Sequence, residues 1–276
     1  AGLPVAIKDL EETSGIKTTF GSRIYSDNIP TIDSLIVKNI KESGAIIIGK
    51  SNTPEFGAGS QTFNEVFGST KNPYSLDKTC GGSSGGSAVA LACGMVPIAT
   101  GSDLGGSLRN PAAWSNIVGF RPSLGRVSAY DELGWSTLST GGPMGRQVED
   151  ILLQLVAMSG YEKFSPNSFE DSTISLENSL NRNLNGAKIA WAKSLNNRPI
   201  EPEIYDNFMN QKTIFEKIGC EITYDEPDLS DSDKIFQAYR AYGYALKHKN
   251  HVEKNADKVK DTIIWNYNQG KKLSAY

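Results

Sequence analysis

Chemistry is most concentrated in Gly81–Arg109, where two Gly/Ser-rich turns flank a small-residue apolar segment. Glycines let the backbone approach a ligand closely, and successive N–H groups in such turns can point at an anion. The first turn, Gly81–Gly86, runs into Ser87–Cys93, which reads as a short buried helix. A helix N-terminus at these serines favours negative charge. The second turn, Ser102–Ser107, follows Val96–Ala99, an apolar run of strand character. Two serine-bearing turns on one scaffold point to a serine nucleophile beside an oxyanion site. The chain has only 2 histidines, His248 and His251, far from both turns, so a Ser-His-Asp triad lacks support.

This stretch resembles the signature of the amidase signature family. The resemblance rests on Gly81-Gly-Ser-Ser-Gly-Gly-Ser87, on Gly101-Ser-Asp-Leu-Gly-Gly-Ser-Leu-Arg109 and on Pro111-Ala112. Upstream it includes Leu3-Pro-Val-Ala-Ile-Lys-Asp-Leu10, Ile48-Gly-Lys-Ser-Asn-Thr-Pro-Glu-Phe56 and Lys71-Asn-Pro-Tyr74. Downstream it takes in Val118-Gly-Phe-Arg-Pro-Ser123, Gly142-Pro143 and Val148-Glu-Asp150. An ordered set of this kind is far more specific than any lone motif. It implies an α/β fold, with a mixed central β-sheet covered on both faces by helices. It also implies a Ser-Ser-Lys triad in which Ser107 matches the nucleophile, Ser83 the bridging serine on a cis peptide, and Lys8 the base.

The chemistry of those types is coherent. A serine hydroxyl is a weak nucleophile until a base takes its proton. A lysine, with a reference pKa of about 10.4, serves as that base only if burial lowers the value. Lys8 ends the apolar run Leu3–Ile7, and Asp9, its neighbour, is expected to face away. Ser83 can donate and accept, and so relay the proton. The backbone N–H groups of Leu104, Gly105, Gly106 and Ser107 are expected to receive the oxyanion. Asp103 and Arg109 are expected to form an ion pair that fixes the turn. In the family, the loop equivalent to Gly57-Ala-Gly-Ser60 lines the substrate site, which nominates Gly57 and Ala58. Ser84 and Ser87 read as cap or turn serines. Lys50 is the rival base, and Cys80 has no histidine partner for a thiol mechanism.

Composition bounds the rest. The 276 residues carry a net charge of −3, which favours neither nucleic acid nor an anionic membrane. No apolar run approaches the roughly 20 residues that span a bilayer. The 3 cysteines, Cys80, Cys93 and Cys220, lack metal-ligand spacing and read as reduced thiols in a cytoplasmic protein. No cofactor or metal is called for; the expected partner is a small amide, and a homodimer stays open. Residues 1–160 are expected to form the catalytic signature core, and 161–276 the C-terminal, incomplete part of the same domain. The chain opens almost at once on a strand, so its natural N-terminus is expected further upstream.

The elements that would position these groups follow from periodicity. After the Leu3–Ile7 strand, Gly15–Pro30 reads as loop. Ile32, Leu35, Ile36 and Ile40 then mark a helix capped by Thr31 or Asp33, with Gly44 past its end. Ala45–Ile48 reads as a strand. Gly44-Ala-Ile-Ile-Ile-Gly-Lys-Ser51 matches the P-loop pattern, but its variable positions are themselves strand-like and Pro54 follows where a helix should run. Phe63–Tyr74 reads as loop, Ile117–Phe120 as strand, and Pro122–Leu138, with Trp135, as irregular. Val148, Ile151, Leu152, Leu155 and Val156 form a helical core stripe. Tyr161–Gly186 reads as a surface excursion. Strands at Lys188–Ala192 and Glu221–Tyr224 bracket a helix through Ile204, Phe208, Phe215 and Ile218, and Asp231–Tyr276 is helical. His248 and His251 read as a solvated helix face rather than a metal site.

Two features set the chain apart within the family. The amidotransferase A subunit, which makes ammonia for glutaminyl- or asparaginyl-tRNA, usually has Thr and Ile where this chain has Leu104 and Leu108. It also carries a Ser-Leu-Asp-Gln run near Leu138-Ser-Thr-Gly-Gly142. The resemblance is therefore to the stand-alone amidases. The alternatives are a glutamine-amidase subunit, a non-catalytic amide-binding relative and a P-loop nucleotide binder.

Overall fold

The computed structural model describes residues 2–130, 137–170, 176, 178–192, 194 and 198–274. Trp135 lies outside them. Two compact units divide the chain: residues 1–177 with 239–276, and residues 178–238.

The first unit is built on a 5-stranded mixed sheet in the order β2-β1-β7-β9-β8. Its strands are β1 (Pro4–Lys8), β2 (Ile46–Ser51), β7 (Ile98–Asp103), β8 (Val118–Gly119) and β9 (Thr140–Gly145). β1 runs parallel to β2 and β7, whereas β9 is antiparallel to β7 and β8. Side chains alternate across a strand. Val5 and Ile7 of β1 and Ile98 of β7 therefore pack on one face with α1 (Leu35–Glu42) and α4 (Val148–Met158). Ala6 and Ala99 face the other way, toward α2 (Gly85–Ala92) and α3 (Arg109–Trp114). Lys8 shares the parity of Ala6, so its side chain leaves the sheet on the α2 side, where the first Gly/Ser turn sits. The fold is α/β, with helices on both faces of a mixed sheet.

Several sequence expectations shift at this level. The α1 cap is Ser34, whose Oγ accepts from the Val37 N–H; Asp33 instead binds Lys41 and the Ser14 N–H. Gly44 adopts φ +84° just past α1, the left-handed conformation that suits glycine at a helix end. The β2 strand extends through Lys50 to Ser51, which removes the helix a P-loop needs. Lys50 Nζ is spent on Glu11 O and on the Thr13 and Thr18 hydroxyls, at 2.9 Å each for the latter two. Phe63–Tyr74 is not plain loop. It holds β3 (Phe63–Asn64) paired with β4 (Gly68–Ser69), and β5 (Lys71–Asn72) paired with β6 (Ser75–Thr79). In α4 the buried stripe is Ile151, Gln154, Leu155 and Met158, while Val148 is exposed.

The 178–238 unit carries a parallel pair, β10 (Lys188–Ala190) and β11 (Glu221–Thr223), with α5 (Pro202–Lys217) between them in sequence. Trp191 stacks on Phe208 with ring centroids 4.6 Å apart. The last helices are α6 (Ser232–Lys247), α7 (Lys249–Asn255) and α8 (Asp261–Gly270). Among the described residues no helix is long and apolar enough to cross a membrane.

Candidate active site

The site forms where β1, the α2 N-terminus and the end of β7 meet. Lys8 is fully buried, and its Nζ lies 2.7 Å from Ser83 Oγ, 2.9 Å from Ser84 Oγ and 3.0 Å from Ser102 Oγ. Its main-chain N–H donates to Thr100 Oγ1 at 2.9 Å, fixing the end of β1 against β7. Burial pushes the amine down from 10.5 to about 7, against the opposing pull of Glu11 and Asp103. A lysine in this state holds a substantial neutral fraction near neutral pH, which is what a base requires. Asp9 is directed away, onto Thr19 and toward Lys50 at 4.0 Å.

The first turn is shaped by close backbone approaches. The Gly82–Ser83 peptide is cis. Gly86 donates its N–H to Asn52 O at 3.1 Å, and a Cβ there would lie 2.2 Å from Asn52 N, so no larger residue fits. Ser84 stands at the α2 N-cap position, but its side chain caps nothing; it turns to Lys8 and to the Ser102 main chain at 3.3 Å. Ser87 is likewise no cap. Its Oγ donates to Thr100 O at 2.7 Å and pairs with Ser51 Oγ at 2.6 Å. Ser84 and Ser102 are thus partners of Lys8 that composition did not single out; their signal was only their place in the two serine turns.

The second turn is held by Asp103. Its buried carboxylate accepts from Arg109 Nε and Nη2, both at 3.0 Å, from the Leu108 N–H at 3.1 Å and from Arg121 Nη1 at 3.1 Å. Arg121, which also reaches Leu138 O, was not among the expected residues. Burial alone would raise the Asp103 pKa, but hydrogen bonds from Arg109, Gly106 and Leu108 hold it down to about 2. One oxyanion expectation is corrected here. The Gly106 N–H donates to Asp103 Oδ1 at 2.8 Å, so it is aimed into the turn, which leaves Leu104, Gly105 and Ser107 as candidate donors.

Ser107 is half-buried, and its carbonyl accepts the Ser84 N–H at 3.2 Å, which ties the two turns together. Among the described residues its hydroxyl makes no hydrogen bond, so Lys8 and Ser83 are in contact whereas Ser107 joins them through the backbone. Catalytic hydrogen bonds are often long without substrate. Gly57, at φ +70°, approaches the same place: a Cβ on it would lie 3.6 Å from Ser83 Oγ. Ala58 is buried beside it. Cys80 hydrogen-bonds Thr70 O, and burial pushes its thiol up, away from a reactive thiolate.

The histidine pair departs from a solvated face. His248 is buried and lies 3.3 Å, nitrogen to nitrogen, from His251; His251 stacks on Phe56 at 4.7 Å and meets the Tyr25 hydroxyl at 2.9 Å. Burial, with His251 and Lys247 nearby, lowers His248 to about 4. No group of three metal-binding side chains occurs among the described residues.

Comparison with known proteins bears on this geometry. The family model described as Amidase matches residues 1–274. The chain belongs to the amidase signature family. It is 35% identical over 278 residues to the A subunit of a glutamyl-tRNA(Gln) amidotransferase from Sulfurihydrogenibium sp., covering 94% of this chain and 57% of that protein. The corresponding subunit of Alkaliphilus metalliredigens is 40% identical over 240 residues, covering 86% and 48%. Among solved structures, a bacterial aryl acylamidase superposes with a TM-score of 0.90 at 26% identity, covering all of this chain and 60% of its own. The A subunit of the Thermotoga maritima glutamyl-tRNA(Gln) amidotransferase gives 0.76 at 30% identity, covering 98% and 60%. The chain thus spans about half to three-fifths of the length of these relatives.

Proposed function

We propose that this amidase-family chain carries the catalytic residues of an amidohydrolase that cleaves a small carboxylic amide to carboxylate plus ammonia or an amine. The observation that carries the reading is the buried Lys8 amine, lowered to about 7 and 2.7 Å from Ser83 Oγ, beneath the Ser107 turn. Ser107 Oγ attacks the amide carbonyl, and its proton passes through Ser83 to neutral Lys8. The N–H groups of Leu104, Gly105 and Ser107 receive the oxyanion. Collapse breaks the C–N bond as the proton returns through Ser83 to the leaving nitrogen. Water then attacks the acyl ester by the same relay, releasing the carboxylate and regenerating Ser107. Gly57 and Ala58 line the substrate side of Ser83. The free thiols Cys80, Cys93 and Cys220 support a cytoplasmic setting.

A second reading, the glutamine-amidase subunit of a tRNA-dependent amidotransferase, is favoured by the 35% and 40% identities to such subunits. Leu104 and Leu108 beside the nucleophile weigh toward a stand-alone amidase. So does the TM-score of 0.90 with an aryl acylamidase, against 0.76 with the amidotransferase chain.

Fluorophosphonate labelling of the full natural protein, read by peptide mass spectrometry, tests the mechanism. The expected result is an adduct on Ser107 that weakens in Lys8→Ala. A folded protein with no adduct, or one labelled elsewhere, refutes it. Glutaminase activity that requires stably bound partner subunits would move the assignment to the second reading.

A further inference from the structure

Residues 55 and 56 link the active-site loop to the C-terminal helices on two sides. Glu55 is buried, and both carboxylate oxygens are used: Oε1 accepts from Ser22 Oγ at 2.6 Å, and Oε2 accepts from the Lys260 main-chain N–H at 2.7 Å. Lys260 is the N-cap residue of α8, so this carboxylate sits at the positive end of that helix. Phe56 holds a left-handed backbone at φ +50°, which is strained for a non-glycine residue and persists only where neighbours enforce it. Its ring is fixed between His251, stacked at 4.7 Å, and His248 at 4.9 Å. The next residue, Gly57, lies beside Leu10 and Ser83: a Cβ on it would be 2.8 Å from Leu10 Cδ1 and 3.6 Å from Ser83 Oγ.

We infer that Glu55 is a positioning residue, which with Phe56 clamps Gly57 against Ser83 by anchoring the loop to the 248–260 segment. Neither residue touches the reacting atoms. The clamp acts by keeping water away from the Lys8–Ser83 pair, so its effect is read through Lys8, and the inference rests on the proposed Ser-Ser-Lys mechanism. Loosening the loop admits water to the pair, relieves the desolvation of Lys8 and raises its pKa. Glu11 and Asp103 act on the same amine, and neither is altered by the variants below.

The contact can be cut from either end. Glu55→Ala removes both accepting oxygens, whereas Glu55→Gln would keep one oxygen for the Lys260 N–H and offer its amide N–H to Ser22 Oγ. Lys260→Pro removes the donating N–H while leaving Glu55 in place: Lys260 has φ −58° and ψ 135°, and Val259 before it is extended, so proline fits both positions. Lys260→Ala controls for the side chain, which reaches Ala58 O at 3.2 Å. The pH profile of Ser107 fluorophosphonate labelling is recorded for each folded variant. Glu55→Ala and Lys260→Pro are expected to move the acid limb up by roughly half to one pH unit, about a two- to fivefold loss of rate at pH 7, and Lys260→Ala to move it less. The double variant is expected to be no worse than Glu55→Ala alone, because the bond that Lys260→Pro cuts is already absent there. Folded variants whose acid limb stays at the wild-type position, or whose effects add, overturn the clamp. A wild-type protein with no Ser107 adduct overturns the underlying mechanism instead.

Discussion

Lys8→Met isolates the energetic cost of the proposed base. Burial lowers the Lys8 amine from 10.5 to about 7. At about 1.36 kcal/mol per pKa unit, holding the ammonium form at this site costs on the order of 5 kcal/mol relative to water. The folded value lies below the unfolded one, so between about 7 and 10.5 the unfolded chain binds more protons. Stability therefore rises with pH across that window; the penalty is complete below about 7 and absent above 10.5. Between pH 6 and pH 9 this group alone makes the wild type about 2–3 kcal/mol more stable. Methionine has similar volume and no charge, and its loss of the three serine contacts is the same at every pH. Urea unfolding of both proteins at the two pH values gives the comparison, because other titrating groups cancel in the difference. The expected result is that Lys8→Met loses ground to the wild type by about 2–3 kcal/mol on going from pH 6 to pH 9. Hydrolysis by the wild type should rise with pH through about 7 over the same range, as the amine becomes neutral. A stability gap constant to within about 0.5 kcal/mol, or an acid limb above pH 9, refutes a depressed lysine base.

The remaining expectations separate roles that the two turns place side by side. Ser83→Ala should lower Ser107 labelling by about 10²- to 10⁴-fold, and Ser84→Ala by about tenfold or less, since both touch Lys8 but only Ser83 is assigned the relay. Equal losses in single-turnover labelling would reverse that division. Asp103→Asn should destabilise the fold by about 1–3 kcal/mol at pH 7, because the buried carboxylate is the shared acceptor of Arg109, Arg121 and the Gly106 and Leu108 N–H groups, while Arg109, more than half exposed, stays solvated without it. The wild-type carboxylate titrates near 2, so this stability is present above 3.8 and lost as pH falls through about 2; thermal unfolding of both proteins from pH 7 to pH 2 would reveal a gap that closes toward acid.

The half that holds the proposed site was legible because its determinants are local. Glycines at fixed positions, serines beside them and an apolar run ending in lysine all lie within short segments, and strand alternation alone sends Lys8 to the α2 side. What escaped the reading was the assignment of individual hydrogen bonds. Asp33 and Ser34 are both good helix caps, and only tertiary contact with Lys41 and Ser14 decides between them. Gly106 has the right place for an oxyanion donor, yet Asp103 three residues earlier takes its N–H. The short pairs β3–β4 and β5–β6 were missed because two-residue strands carry no measurable alternation.

The C-terminal segment was the least legible, for a physical reason that also defines its role. A lysine-rich helix bearing two histidines has the composition of a solvated surface, and nothing in its own spacing says otherwise. Its partners are Phe56 and Tyr25, roughly two hundred residues away in sequence: Tyr25 holds His251, Phe56 packs on both rings, and burial of His248 disfavours its charged form. Contacts that distant must recover a loop-closure cost before they stabilise anything, so they persist where several act together. Here a buried carboxylate, a stacked ring and a tyrosine–histidine bond converge on one short turn, Glu55–Gly57. That convergence falls beside Ser83, the place where a displacement of about an ångström would alter the environment of the proposed base.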